Sequence, residues 1–262
     1  MKRQLFPWYI GFILVVMYIP IFLVIIYSFN QSRLTYAWGG FSFYWYIDLF
    51  KDRSIFEGLL TSLILGLSAS ILSAVLGTLG ATGMAKIRMA SKARKIHKTM
   101  ENLSILPIMM PEIIMGMTFM AFFSLLAIPS GMFTLLIAHT AFCLPYPYLL
   151  VRARLAGLDK SYIEAARIMG ASDLRAFFDI TLPLVLPAVI SGMLISFAMS
   201  FDDVIVSSFV AGPHTNTLPM IIYSSLKTGV TPKINALCTL LFVFTVILCL
   251  AAVLLAKRKH RG

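Results

Sequence analysis

Six long apolar runs constrain this chain more than any other feature in it. They cover about Pro7–Phe29, Gly58–Ala85, Met100–Leu126, Met132–Val151, Leu184–Val206 and Ala236–Ala256. A helix needs roughly 20 apolar residues to cross a hydrocarbon core about 30 Å thick, and each run reaches that length. Lipid offers no partner to backbone N–H and C=O groups, so such runs fold as helices. Charged residues are only 13 % of the chain and the mean hydropathy is +0.88, whereas a soluble domain carries about 25 % charged residues. The expected fold class is an all-α membrane protein with six transmembrane helices, in one domain covering residues 1–262. The first run is too long for a signal-peptide core and lacks a small-residue cleavage pattern, so no cleavable leader is expected.

The net charge of +11 raises nucleic acid as a partner, until the positions of the charges are considered. With both termini cytoplasmic, the inner segments hold 17 of the 22 lysines and arginines. They cluster at the N-terminus, in Lys86–Thr99, in Arg152–Pro183 and in Lys257–Arg261. The outer loops hold five: Arg33, Lys51, Arg53, Lys227 and Lys233. Positive charge retained inside is a membrane-orientation signal, and nucleic acid drops out.

The connections differ in character. Outer segment Asn30–Glu57 is rich in aromatics: Trp38, Phe41, Phe43, Tyr44, Trp45 and Tyr46. It reads as an interfacial helix at headgroup depth, or as an aromatic surface for a cationic ligand. The second run carries Gly66, Gly77, Gly80 and Gly83 among Ser and Ala, which suits close packing inside a bundle. Pro20 is a possible kink in the first run. Pro129-Ser130-Gly131 makes the third and fourth runs a tight hairpin, and Thr217–Lys227 suits a short outer helix. Cys143, Cys238 and Cys249 all lie in apolar runs without metal-ligand spacing, and read as small apolar residues.

No catalytic pattern is present: neither a nucleophile elbow, nor a zinc-protease helix, nor a phosphate loop. An enzyme is therefore not expected, and neither a metal nor another cofactor; any ATP would be bound by a partner subunit. His139 stands alone in the fourth run and reads as a packed, hydrogen-bonded histidine rather than a ligand. Acids inside spans are costly and by default face a pathway or partner. On a straight helix, Glu112 lies about 18 Å in from the cytoplasmic side and the Asp202–Asp203 pair about 28 Å in, toward the outer mouth. No lysine or arginine in the runs is placed to neutralise these substrate-path candidates, and a cationic solute would. The alternative is hydrogen bonding to Ser, Thr or backbone on a neighbouring helix. Successive helical residues point about 100° apart, so one of the two aspartates faces the path. Glu101 reads as an interfacial partner of Lys98.

Arg152–Pro183 is more than a connection. Ser161 and Glu164 form a capping box, Ala165, Ala166, Ile168 and Met169 support a short helix, and Gly170 suits the left-handed position after it. Ser172 caps a second helix, Asp173 to about Ile180, which Pro183 stops. The expected element is helix, glycine corner, helix. Glu164-Ala165-Ala166, then Gly170, then Ile180, Leu182 and Pro183 resemble the EAA loop of ABC importer permeases, which docks into a cleft of the ATPase subunit in that family. Pro111-Glu112-Ile113-Ile114-Met115-Gly116 and Ser200–Pro213 resemble the spermidine/putrescine ABC transporter permeases, as do His139–Pro145 and Pro232–Leu237. The similarity covers nearly the whole chain and is nearest to the second permease subunit of those systems. An aspartate is also common there in place of Glu112.

The resemblance implies a type I (maltose/molybdate-type) importer permease in a bacterial cytoplasmic membrane. It implies a heterodimer with a second permease, two ATPase subunits and an external polyamine-binding protein. Alternatives are an ABC importer for another small solute, and a secondary transporter or channel. The acidic spans argue against an anion, and a secondary transporter has no use for the Glu164–Pro183 element.

Overall fold

The computed structural model describes residues 2–33, 37–88, 94–159 and 161–259. The side chains of 2–8, 86–98, 101, 163, 248–249 and 251–259 fall outside the description, and with them the Lys98–Glu101 pair, Cys249 and most of the basic inner loop. The described chain is helical, with one isolated bridge between Asn30 and Phe41. In order the helices are α1 (Lys2–Tyr27), α2 (Tyr44–Lys51), α3 (Arg53–Arg88), α4 (Arg94–Met109), α5 (Glu112–Leu125), α6 (Met132–Cys143), α7 (Pro145–Ala156), α8 (Ser161–Ile168), α9 (Asp173–Ala176), α10 (Leu182–Asp202), α11 (Ile205–Val210), α12 (Leu218–Thr228) and α13 (Pro232–Lys259).

Four stretches among the described residues are long and apolar enough to cross a membrane: Tyr9–Tyr27, Arg53–Ala85, Met132–Ala156 and Asp173–Asp202. A further pair, Asn102–Met109 and Glu112–Leu125, is bent by 111°, and Pro232–Ile247 is a shorter apolar helix. The third apolar run is thus broken where an unbroken helix is expected. Pro111 has no N–H to give to the ladder and disfavours a helical Met110, so the chain turns there and restarts at Glu112. The fifth run also differs at both ends. It begins at Asp173, and it stops at Asp202 instead of Val206, because Asp203 is extended (ψ 129°). The first run stays helical through Pro20.

The chain divides into two units. In the unit of residues 1–56 and 221–262, α13 packs against α1 and α2. Asn30 organises the loop between α1 and α2: its Nδ2 donates to the Ala37 carbonyl (2.8 Å) and its Oδ1 accepts from the Gly39 N–H (2.8 Å). Trp45 is buried and donates from Nε1 to the Asn30 carbonyl (2.8 Å). Phe29 stacks on Phe41, meets Phe43 edge-on and lies tilted against Tyr46. Among the described residues of the aromatic segment, α2 covers only residues 44–51 before α3 begins at Arg53, so the expected interfacial helix is short. Lys233 Nζ lies 2.8 Å from Asp48 Oδ2 and 2.6 Å from Asp52 Oδ2, tying the start of α13 to α2. Burial of Lys233 works against its charge, but the hydrogen bonds it donates to both aspartates outweigh it and raise its pKa; Asp52 is lowered, chiefly by the hydrogen bond it accepts from Lys233.

In the unit of residues 57–220, α3 turns its small residues inward. Ala69, Ser73 and Ala81 are buried while Leu67, Ile71, Val75 and Leu79 are exposed, the arrangement expected where backbones pack closely in lipid. The helices α7 and α10 pack extensively on each other. This packing depends on Gly192, where an added Cβ would fall on Pro147 Cα. Leu65, Met115, Leu135, Phe142, Val206 and Val210 form a core that α3, α5, α6 and α11 share.

Candidate functional site

The break between α4 and α5 opens a pocket. It is lined by Pro107, Met110, Glu112, Phe142, Tyr146, Met199, Asp203 and Val206, among others. Two of the three acids singled out from sequence therefore share one pocket. Glu112 is exposed and opens the first turn of α5, where the helix dipole favours a negative charge. Because α4 ends before it, a straight-helix depth does not apply to Glu112. Asp202 is exposed, and the pocket lining does not include it. The two aspartates are separated by the end of α10, not by a 100° step along one helix.

Asp203 is buried and accepts three hydrogen bonds. Its Oδ1 accepts the Val206 N–H at 3.1 Å, and its Oδ2 accepts the Ser207 N–H and the Ser207 hydroxyl, each at 2.7 Å. The carboxylate thereby satisfies two first-turn amides of α11, which have no partner within their own helix. Hydrogen bonding to serine and backbone, the alternative weighed for these acids, is thus what surrounds Asp203. His139, wholly buried on α6, places Nδ1 at 2.7 Å from Ser200 Oγ and Nε2 at 3.0 Å from Ser207 Oγ. Nε2 is also 3.5 Å from Asp203 Oδ2. His139 is a packed, hydrogen-bonded histidine, as expected, but packed against a pocket acid. Its separation of more than 60 residues from each serine partner hid this from sequence reasoning. Tyr146 was also missed.

The second candidate element is α8–α9. Gly170 adopts φ +82°. Its N–H donates to the Arg167 carbonyl (3.0 Å) and that of Ala171 to the Ala166 carbonyl (2.9 Å), the paired bonds of a Schellman ending. Ser172 Oγ then accepts the Arg175 N–H (3.3 Å), capping α9. The expected helix, glycine corner, helix is present. Two details differ. Ser161 lies inside α8 instead of capping it, and its N–H donates to Asp159 Oδ1 (3.0 Å); a carboxylate is the stronger acceptor. Pro183 does not stop the helix, but sits in the first turn of α10. The preceding residues Phe177–Thr181 form a π turn in which Leu182 N–H reaches the Phe177 carbonyl, and a first-turn proline has no hydrogen bond to lose.

Within this element the predicted coupling residues face different ways. Glu164, Ala165, Gly170 and Pro183 are exposed, Ala166 is buried, and Ile180 and Leu182 are half-buried. The large exposed apolar side chains are Ile168 and Met169 (87 % and 86 % exposed), with Leu174 and Phe178. Sequence reading took Ile168 and Met169 only as helix formers.

A model of the family described as binding-protein-dependent transport system inner membrane component matches residues 75–260. The chain belongs to this family. It is 37 % identical over 244 residues to the spermidine/putrescine transport system permease protein PotC of Haemophilus influenzae, covering 93 % of each chain. Against PotC of Escherichia coli K12 the identity is 37 % over 246 residues, covering 94 % of this chain and 91 % of the relative. The putrescine transport system permease protein PotI of Escherichia coli K12 is also 37 % identical, with 90 % of this chain and 85 % of that one covered. Among solved structures, a chain of a bacterial ABC transporter involved in the import of the acidic polysaccharide alginate has a TM-score of 0.73 at 15 % identity, over 96 % of this chain and 95 % of that one. A chain of the MetNI methionine ABC transporter has a TM-score of 0.58 at 18 % identity, over 77 % and 95 %. These two share the fold. The family member is a multi-pass membrane protein built on a fold found in ABC importers.

Proposed function

We propose that the chain is a transmembrane permease subunit of an ATP-driven importer for polyamines, spermidine or putrescine or both. The observation that carries this reading is 37 % identity to PotC and PotI relatives over nine-tenths or more of the chain. The pocket adds chemical support, since Glu112 and Asp203 give it an acidic wall and Phe142 and Tyr146 an aromatic one. Carboxylates and ring faces both attract an alkylammonium. Glu112, Asp203 and the neighbouring Asp202 form the substrate path in this proposal. The subunit crosses a bacterial cytoplasmic membrane six times with both termini inside. It pairs with a second permease, receives substrate from an external polyamine-binding protein, and is driven by two ATPase subunits that bind the ATP.

Coupling runs through α8–α9. The Schellman corner holds the two helices rigidly, and Ile168, Met169, Leu174 and Phe178 offer an apolar surface to the ATPase cleft, with Glu164, Ala165, Ala166, Gly170, Ile180, Leu182 and Pro183 framing it. Uptake of labelled spermidine and putrescine into cells that express the complete importer and lack other polyamine uptake tests the reading. Accumulation that requires the ATPase is expected. Uptake of neither amine would overturn the substrate, and uptake that survives loss of the ATPase would overturn the class.

A further inference from the structure

We propose that His139 is a positioning residue for Asp203, holding that carboxylate on the pocket wall through Ser207. The inference rests on the polyamine-path reading and adds to it a residue that contacts no pocket-lining space itself. The argument is one of proton accounting. Ser207 has one hydroxyl hydrogen and gives it to Asp203 Oδ2 at 2.7 Å. Ser207 Oγ must then accept from His139, so Nε2 carries the proton at 3.0 Å. Nδ1 is left with its lone pair, and the Ser200 hydroxyl donates to it at 2.7 Å. The chain of donors therefore runs in one direction, from Ser200 through His139 and Ser207 to Asp203, and ends on the carboxylate.

Each hydrogen bond in such a chain polarises the next. A carboxylate has about four acceptor sites; Val206 N–H, Ser207 N–H and Ser207 O–H fill three. One remains for the pocket that Asp203 lines. His139 also bridges the two helices that flank the non-helical residues 203–204, by Ser200 on α10 and Ser207 on α11. Losing the imidazole frees Ser207 Oγ to rotate away from Oδ2, so the carboxylate loses its fixed aim without losing its charge.

The test is a double-mutant cycle on spermidine uptake by the complete importer, with rates normalised to assembled complex in the membrane. His139→Phe keeps a ring and removes both hydrogen bonds; Ser207→Ala cuts the link and leaves the backbone donor. Each is expected to lower uptake about tenfold, the effect of one hydrogen bond to a charged group. His139→Gln, which retains one donor and one acceptor, should recover most of the loss. In an Asp203→Asn background, His139→Phe and Ser207→Ala should add little. Full additivity, or a His139→Gln no better than His139→Phe, would overturn the positioning role alone. Wild-type uptake by Asp203→Asn would overturn the path reading and the positioning role together. Should His139→Phe fail to assemble, Ser207→Ala completes the cycle.

Discussion

At the scale of single residues, Glu112 and Asp203 carry the same charge under different constraints, and their amide variants should separate. Glu112 is exposed on the first turn of α5 and, among the described residues, is not a hydrogen-bond link to another element. Glu112→Gln should slow polyamine uptake by about tenfold or more, the worth of one charge-assisted contact, while leaving assembly and thermal midpoint unchanged. Asp203 accepts three hydrogen bonds with two oxygens. Asparagine offers one oxygen, so Asp203→Asn turns an NH2 group toward buried donors and should also destabilise the protein by about 1–3 kcal/mol. Asp202, exposed and off the pocket lining, should tolerate Asp202→Asn better than either. Uptake per assembled complex, read beside a thermal unfolding scan in detergent, distinguishes the three. Equal losses for Glu112→Gln and Asp202→Asn would mean that the pocket lining is not the path.

At the scale of elements, the corner at Gly170 and the joint at Lys233 make separate predictions. A β-branched residue at φ +82° costs about 1–2 kcal/mol and competes with the two closing hydrogen bonds. Gly170→Val should insert normally yet fail to co-purify with the ATPase, whereas Gly170→Asn, which tolerates positive φ, should retain most of it. In the Lys233 joint, the lowered Asp52 contributes stability at pH values above its ordinary pKa of 3.8, and that contribution is lost as pH falls through the lowered value. The raised Lys233 contributes below its ordinary 10.5, and its share is lost as pH rises through the raised value. Hydrogen exchange of the α2 amides should therefore be flat from pH 5 to 9 after correction for intrinsic rates, and Lys233→Met should speed it throughout that range. The glycine corner was legible in sequence because every one of its bonds is local. The break at Pro111 was also a local signal, but apolar continuity across it concealed the turn. The π turn before Pro183 carries no composition of its own. The acids were legible as costly residues, and Val206 and Ser207 are local partners of Asp203; the approach of His139 was not legible, since packing of α6 against α10 brings it to Ser200 from 61 positions away.

At the scale of the whole molecule, the proposed six crossings depend on the bent pair α4–α5 as well as on the shorter apolar helix Pro232–Ile247. If the bent pair crosses, the turn at Pro129–Gly131 lies outside and α8–α9 lies inside, with the termini. If it instead enters and returns, that turn is inside, and every later segment is inverted. Arg152, Arg154, Lys160, Arg167 and Arg175 would then be outside, against the tendency of lysine and arginine to remain in the cytoplasm. The proposed ATPase contact would also be on the wrong face. The charges favour a crossing, and Ser130 gives a direct test because it is exposed at the turn. In a background with Cys143, Cys238 and Cys249 replaced by alanine, Ser130→Cys should react with a membrane-impermeant maleimide in intact spheroplasts. Met169→Cys, 86 % exposed at the end of α8, should in cells without the ATPase subunits react only after the membrane is opened. The reverse pattern would place α8–α9 outside, and with it would fall the six-crossing topology and the coupling role of the Gly170 corner.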